Sequence, residues 1–362
     1  MGKKPKLSPG RLALPGLYAG MALWDTLRNL RYAWGERRFL VLHHPSKLPF
    51  MYDVLLDWLA VYTPDVRALF ELHVLPFPVR DWSRYALHVP WLQDPVEAWS
   101  PSAFRRAAKL GAACERHGVP VVNRVERLAN AAKSEGSRRI ASAGFRTPRM
   151  ERIADPAAFR RDLLGLPLPL FVREDEGHGG PMLRADTEEE ARALPVESLR
   201  RPVAVELVDV RSPADGLYRK YRYVVAGDAG VRQSMHVSRA WAARGSDTVF
   251  DEALRDEEVA FLASPEPEHA RFVAAREALG LDFVAFDYSL DAAGRPVVWE
   301  ANPFPFLHFV GGRRRYRRAA TEKVLAAMTA LYLSRAGMDV PADFLDLLGA
   351  PACSGTAPSV AR

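Results

Sequence analysis

Cysteine is almost missing from this chain: Cys114 and Cys353 are the only two among 362 residues, and their positions form no motif. That excludes a disulfide framework and leaves a thiolate zinc site unsupported. A reducing, cytoplasmic setting is the expectation that follows. Long apolar runs are also lacking, so no segment is expected to span a bilayer. The first third holds no G-x-G-x-x-G and no Gly-rich phosphate loop, which leaves a Rossmann dinucleotide site unsupported. Lysine is scarce, with Lys133 and Lys220 among only eight, while the 50 basic residues are mostly Arg. This bias is read as a coding preference, not as a nucleic-acid signal. What is present is ordinary for a soluble globular protein: 48% hydrophobic and 26% charged residues, in a length that suits two or three packed subdomains. The net charge of +6 favours collection of anionic substrates such as nucleotides.

Residues 1–24 combine a basic start with an apolar stretch, superficially like a signal peptide. However, Leu17, Met21, Trp24, Leu27, Leu30 and Trp34 recur at helical spacing, with Asp25, Arg28 and Arg31 between them. The pattern predicts an amphipathic helix packed against the body of the protein, in preference to one lying on a membrane. Strands at 39–43, 68–75 and 119–122 then alternate with helices at 50–61 and 104–117, the rhythm of a small α/β subdomain. A helix is expected from Asn123, with a capping-box Glu126, to Gly144, carrying Lys133. Next comes a strand over 167–175 that runs into Glu176-Gly-His-Gly-Gly180. Strands follow at 203–210, 217–225 and 231–237, and one helix is expected from Pro265 to Leu279. Two strands, 281–290 and 296–301, are joined by Asp291-Ala-Ala-Gly294. A closing helix covers 321–336, and the tail from Pro351 is expected to be disordered.

The last hairpin carries the chemistry. Alternation places Ala285, Asp287 and Ser289 on one face. A loop over 291–294 pairs Leu290 with Arg295 and sets Asp287 opposite Val298, with Glu300 a diagonal neighbour roughly 7 Å away. Asn302 follows on that face. Two carboxylates and an amide oxygen converge with no basic partner between them, so a hard divalent cation is the simplest remedy for their repulsion. Oxygen donors alone favour magnesium or manganese over zinc. On the strand at 217–225, Lys220 and Arg222 share a face, and the next strand is expected to add Arg232, His236 and Ser238 to it. Cations so placed on a central sheet call for anions.

Leu-Gly-Leu-Asp-Phe-Val-Ala-Phe-Asp-Tyr-Ser (279–289) followed by Val-Trp-Glu-Ala-Asn-Pro (298–303) resembles the metal-binding end of the ATP-grasp superfamily. That superfamily includes D-alanine–D-alanine ligase and glutathione synthetase. The resemblance runs from about Asn123 to Ala336 and weakens upstream. It implies an α/β fold in which two α+β subdomains grip ATP behind a small N-terminal α/β domain. The corresponding division is 1–35 (helix), 36–122, 123–205, 206–336 and a tail at 337–362. It also implies that Asp287, Glu300 and Asn302 hold magnesium against ATP, and that Lys133, Arg173, Gly179, Gly180, Glu206 and Val208 bind the nucleotide. The implied reaction joins a small-molecule carboxylate to an amine through an acyl-phosphate, with Lys220 and Arg222 steadying the transferred group. Where many such ligases carry an Arg, this chain has Ala285, so a kinase remains an alternative, as does a non-catalytic nucleotide-binding module. Neither nucleic acid nor membrane is an expected partner, and a homodimer is left open.

Overall fold

The computed structural model of the chain describes residues 14–47, 50–176, 180–242 and 247–349. Gly177, His178 and Gly179 of the Gly-rich loop, and the tail from Pro351, lie outside the described residues. The fold is mixed α/β, with three sheets among the described residues, and it divides into two compact units, 1–125 with 335–337 and 126–334 with 338–362. Among the described residues, no helix is long and apolar enough to cross a membrane.

The first unit is built on a parallel sheet of three strands, β1 (Arg38–His43), β2 (Phe70–Val74) and β3 (Tyr85–Pro90), in the order β2-β1-β3. Phe39, Leu40, Val41 and Leu42 of the central strand are fully buried, as the continuous apolar run of a doubly covered parallel strand requires. The strand expected at 119–122 reduces to one bridge between Val121 and His88, and β3 takes the edge instead. The helix Leu14–Tyr32 reverses its expected orientation: Leu17, Trp24, Leu27 and Leu30 are 42–80% exposed. Its polar side chains face inward. Asn29 donates to Leu72 O and accepts from Leu72 N, and Asp25 accepts from or shares a proton with His43 at 2.7 Å. The reason is the free edge of β2, whose backbone groups a polar side chain can satisfy and an apolar one cannot.

The second unit holds two antiparallel four-stranded sheets. One contains β4 (Met150–Arg152), β5 (Leu170–Glu174), β6 (Leu183–Ala185) and β7 (Pro202–Glu206) in the order β4-β7-β5-β6. Alternation along it is strict. Leu170, Val172 and Ala204 enter one core with Phe159 and Ala191, while Phe171, Val203 and Val205 pack on the other face with Met150, Met182 and Trp241. The other sheet contains β8 (Tyr218–Ala226), β9 (Ala229–Ser238), β10 (Phe283–Leu290) and β11 (Pro296–Asn302) in the order β11-β10-β8-β9. Every residue of β10 but Leu290 is buried.

Two expected helices are broken. The segment from Asn123 forms a short helix Val125–Leu128, a 3-10 turn Ala129–Ala131, and then a separate helix Lys133–Ser142. The helix expected from Pro265 starts at His269, and a further helix, Glu252–Ala263, precedes it. Pro265 and Pro267 push Ser264 and Glu266 away from helical backbone, so the two helices cannot fuse.

Gly230 marks the tightest approach in this unit. A Cβ there would sit 1.8 Å from Tyr223 Oη and 2.7 Å from His269 Nδ1. Tyr223 is 3% exposed, so its ring has no room to withdraw. Gly230→Ala is therefore expected to cost about 2 kcal/mol of stability. Urea unfolding checks this, and an unchanged midpoint would contradict the packing at this turn.

Candidate active site

The hairpin β10–β11 differs from the expected register in a way that matters. Asp291 closes the turn: its Oδ1 accepts the N–H groups of Ala293 at 3.0 Å and Arg295 at 2.9 Å. The loop is one residue longer than expected, and Leu290 pairs with Pro296. A bulge between Asp287 and Tyr288 shifts the pairing by one more residue, so Glu300 lies directly opposite Asp287 instead of diagonally. The bulge also leaves Trp299 and Glu300 both lining the same cavity, while Val298 stays opposite Tyr288. Trp299 is fixed there by its Nε1–H, which donates to Ser289 Oγ at 2.8 Å.

The expectation that these acids have no basic partner is overturned. Arg222 lies opposite Asp287 on β8 and holds it in a fork, Nε to Oδ1 at 2.6 Å and Nη2 to Oδ2 at 3.0 Å. Lys220 Nζ is 3.4 Å from the same carboxylate. Glu300 Oε2 is 2.6 Å from Lys133 Nζ and 4.0 Å from Arg173 Nη1. Hairpin geometry alone could not reveal these partners, because they arrive from a neighbouring strand, a second sheet and a helix. Asn302 Oδ1 accepts the N–H of Phe304 at 2.9 Å.

Each cation is placed by local structure. Lys133 is the first residue of its helix, and its N–H donates to Asp175 O at 2.9 Å. Asp175, 1% exposed, accepts from Ser134 N at 2.7 Å and Ser134 Oγ at 2.9 Å, so a carboxylate sits at the helix N-terminus. In the sequence only its position at a strand end, just before glycines, marks Asp175. Alternation on β5 then turns Arg173 to the side of Phe171.

Burial alone would push both acids up in pKa. Arg222 and then Lys220 hold Asp287 below the ordinary carboxylate range, and Lys133 and Arg173 hold Glu300 well below it. Asp287 in turn raises Arg222. Four cations face two carboxylates, which leaves a net formal charge of +2 among these six side chains.

A cavity of about 420 Å³ opens beside them, lined by Arg173, Lys220, Asp287 and Glu300 at one end. Val205, Leu207, Val208, Phe171 and Trp241 line an apolar part, and Gly180 also borders it. The aromatic contributors Trp241 and Trp299 had no marker in the sequence. Glu206 is turned to one side: its Oε2 accepts from Arg149 N at 3.0 Å, and Arg146 lies 3.9 Å from Oε1. The N–H of Leu207 is already donated to Pro169 O at 3.1 Å.

The wider basic face is smaller than expected. His236 and Ser238 stand opposite Lys220 and Tyr218, but a bulge between Arg222 and Tyr223 sets Arg232 opposite Tyr223. Arg232 pairs with Glu266 at 3.1 Å and does not join Lys220 and Arg222. His308 is largely exposed; partial desolvation on one side of its ring, then Arg317 and Arg222 nearby, lower its pKa.

Two solved structures are similar to this chain at a TM-score of 0.51. One is the VanG D-Ala:D-Ser ligase of Enterococcus faecalis, at 13% identity over 83% of this chain and 100% of that one. The other is the macrocyclase MdnC of Microcystis aeruginosa bound with its precursor peptide MdnA, at 8% identity over 82% and 99%. A RimK-domain ATP-grasp protein of Sphaerobacter thermophilus is similar at 0.49, with 17% identity over 82% and 99%. This chain has the ATP-grasp fold. No protein-family model matches it, and no curated protein matches it by sequence. Among the described residues, no cluster of three or more His, Cys, Asp and Glu side chains could hold a metal ion. Beside the two acids on β11 stands an amide, Asn302, opposite Ala285.

Removing Arg222 strands a carboxylate that is 2% exposed, with Lys220 as its remaining partner. Arg222→Met is expected to cost about 3 kcal/mol, and Arg222→Lys less. Both acids ionise at lower pH folded than unfolded, so their stabilisation is complete above the ordinary carboxylate pKa of about 4 and is lost as pH falls below it. Glu300→Gln is therefore expected to flatten the acid side of the stability profile. Urea titrations between neutral and acid pH measure both effects, and a stable Arg222→Met would refute the pairing.

Proposed function

We propose that this chain is a magnesium-dependent, ATP-using ligase that joins a carboxylate to an amine through an acyl-phosphate. The observation that carries the reading is the convergence of Lys133, Arg173, Lys220 and Arg222 on Asp287 and Glu300 beside a partly apolar cavity. Net positive charge of +2 with low exposure calls for an anion, and magnesium-bound ATP carries a matching charge of about −2. The apolar part of the cavity suits a flat base, with Val208 and Leu207 beside it.

The donor set fits magnesium: two carboxylates directly opposed on paired strands, and the amide oxygen of Asn302 two residues beyond Glu300, all hard ligands. When bound, magnesium would supply positive charge that offsets the negative charge developing during phosphoryl transfer. Asp287, Glu300 and Asn302 would hold it, after the cations now on the acids exchange a carboxylate for a phosphate. Lys133 and Arg173, both within 4.0 Å of Glu300, would pass to the phosphates of ATP. Gly180 and Gly179 of the preceding loop would cover those phosphates, and Glu206 would border the nucleoside. Lys220 and Arg222 would steady the transferred phosphoryl group and then the acyl-phosphate, until an amine attacks the acyl carbon and phosphate leaves. The substrates would be small-molecule or peptide-borne carboxylates and amines. The VanG and MdnC likenesses support the fold in which such a site is set, at identities that leave the substrate to experiment.

MgATP is expected to raise the melting temperature, with EDTA removing most of the shift. Glu300→Gln is expected to fold and to lose about 100-fold or more in ADP release. Phosphate release that requires acid and amine together supports ligation. Stoichiometric ADP with a stable phosphorylated acceptor and no amine requirement would replace the ligase by a kinase.

A further inference from the structure

The helix Leu14–Tyr32 of the first unit is amphipathic the wrong way round for a buried element. Its inner side carries Tyr18, Asp25, Arg28 and Asn29, which bind His44, His43, Asp53 and Leu72. Its outer side carries Leu23 and Trp24 at 61% exposure, Leu27 at 52% and Leu30 at 80%, continued by Trp34 at 49%. At 100° per residue the four helical positions fall within a single arc of about one-third of the circumference. Such a stripe is costly in water and marks a surface made to be covered.

Charge decides what covers it. Residues 1–34 contain Lys3, Lys4, Lys6, Arg11, Arg28 and Arg31 against one acid, Asp25, which is 3% exposed and engaged with His43. Arg28 is paired with Asp53, and Asp57 lines the same groove as Trp24 and Leu27, so the surplus rests on Arg31 and, outside the described residues, on the three lysines and Arg11. A second copy seated on this stripe would bring two such cationic segments together. An anionic lipid surface would attract both, with each Lys or Arg near the surface adding to the binding. Trp24 and Trp34 have the amphipathic rings that favour the headgroup level.

We propose that this helix lies in the plane of an anionic membrane surface, with Leu23, Trp24, Leu27 and Leu30 entering the headgroup boundary, as a reversible anchor independent of the site in the second unit. The test is flotation of the full chain with vesicles of phosphatidylcholine alone and with roughly one-third phosphatidylglycerol. Binding to the anionic vesicles is expected, falling in high salt. Leu27→Glu with Leu30→Glu is expected to weaken it about tenfold or more without changing the melting temperature. A second variant with Lys3, Lys4 and Lys6 changed to Gln tests the charge without touching the stripe, and is expected to reduce binding to the anionic vesicles. No binding to the anionic vesicles overturns the proposal, as does equal binding to both vesicle types. A dimer in sedimentation equilibrium that Leu27→Glu abolishes would assign the stripe to a second copy and overturn it too.

Discussion

Asp287 can stay ionised at 2% exposure only because Arg222 and Lys220 reach it, and the second unit is organised around that requirement. A buried carboxylate without a partner would cost several kcal/mol or take up a proton. Glu300, directly across the hairpin, repeats the demand, and it is met from elsewhere: by Lys133 on a helix start and by Arg173 on the other sheet. The two acids therefore connect β8, β10 and β11 to β5 and to the helix at 133. Each interaction is also exchangeable, because a cation that serves a carboxylate can serve a phosphate. A site of this type is held in shape without ligand by the groups it would use on one.

Two bulges make that arrangement possible, and both occur at the Asp287–Arg222 pair. In β8–β9 the break follows Arg222, and in β10–β11 it follows Asp287. Since side chains alternate, each break changes which residues share a face. The β10–β11 break sets Glu300 opposite Asp287, which already faces Arg222 across β8 and β10 in unbroken register. Tyr223 and Phe286 pack with Phe272 on the helical side, and Arg232 is carried away to Glu266. A regular sheet would have set Trp299, not Glu300, opposite Asp287.

The strands at 170–174, 203–206, 218–226, 229–238, 283–290 and 296–302, the hairpin that carries Asp287, Glu300 and Asn302, and the basic residues on β5 and β8 were legible. They rest on periodicity, turn residues and short spacing, which are local properties. Missed features shared one cause. The helix at 252–263 ends at Ser264-Pro265, and the same two residues carry the signal of a helix start, so the stop is masked. Asp175 looked like any strand-end acid until the helix at 133 docked on it. Trp241 and Trp299 looked like core residues, and only the facing sheets show the cavity that they line.

By itself, then, the sequence determined the main strands of the second unit, that β10 and β11 form a hairpin turned through Asp291, and that two acids and an amide share one neighbourhood. These follow from backbone chemistry within a few residues of each position. Only the tertiary structure decided that the acids stand directly opposite one another, that four cations neutralise them, and that Arg232 does not. It also turned the first helix over, because the edge of β2 needed Asn29 more than the core needed Leu27. Register, ion pairing and the choice of buried face all depend on a partner brought from elsewhere in the chain, and no local pattern names that partner.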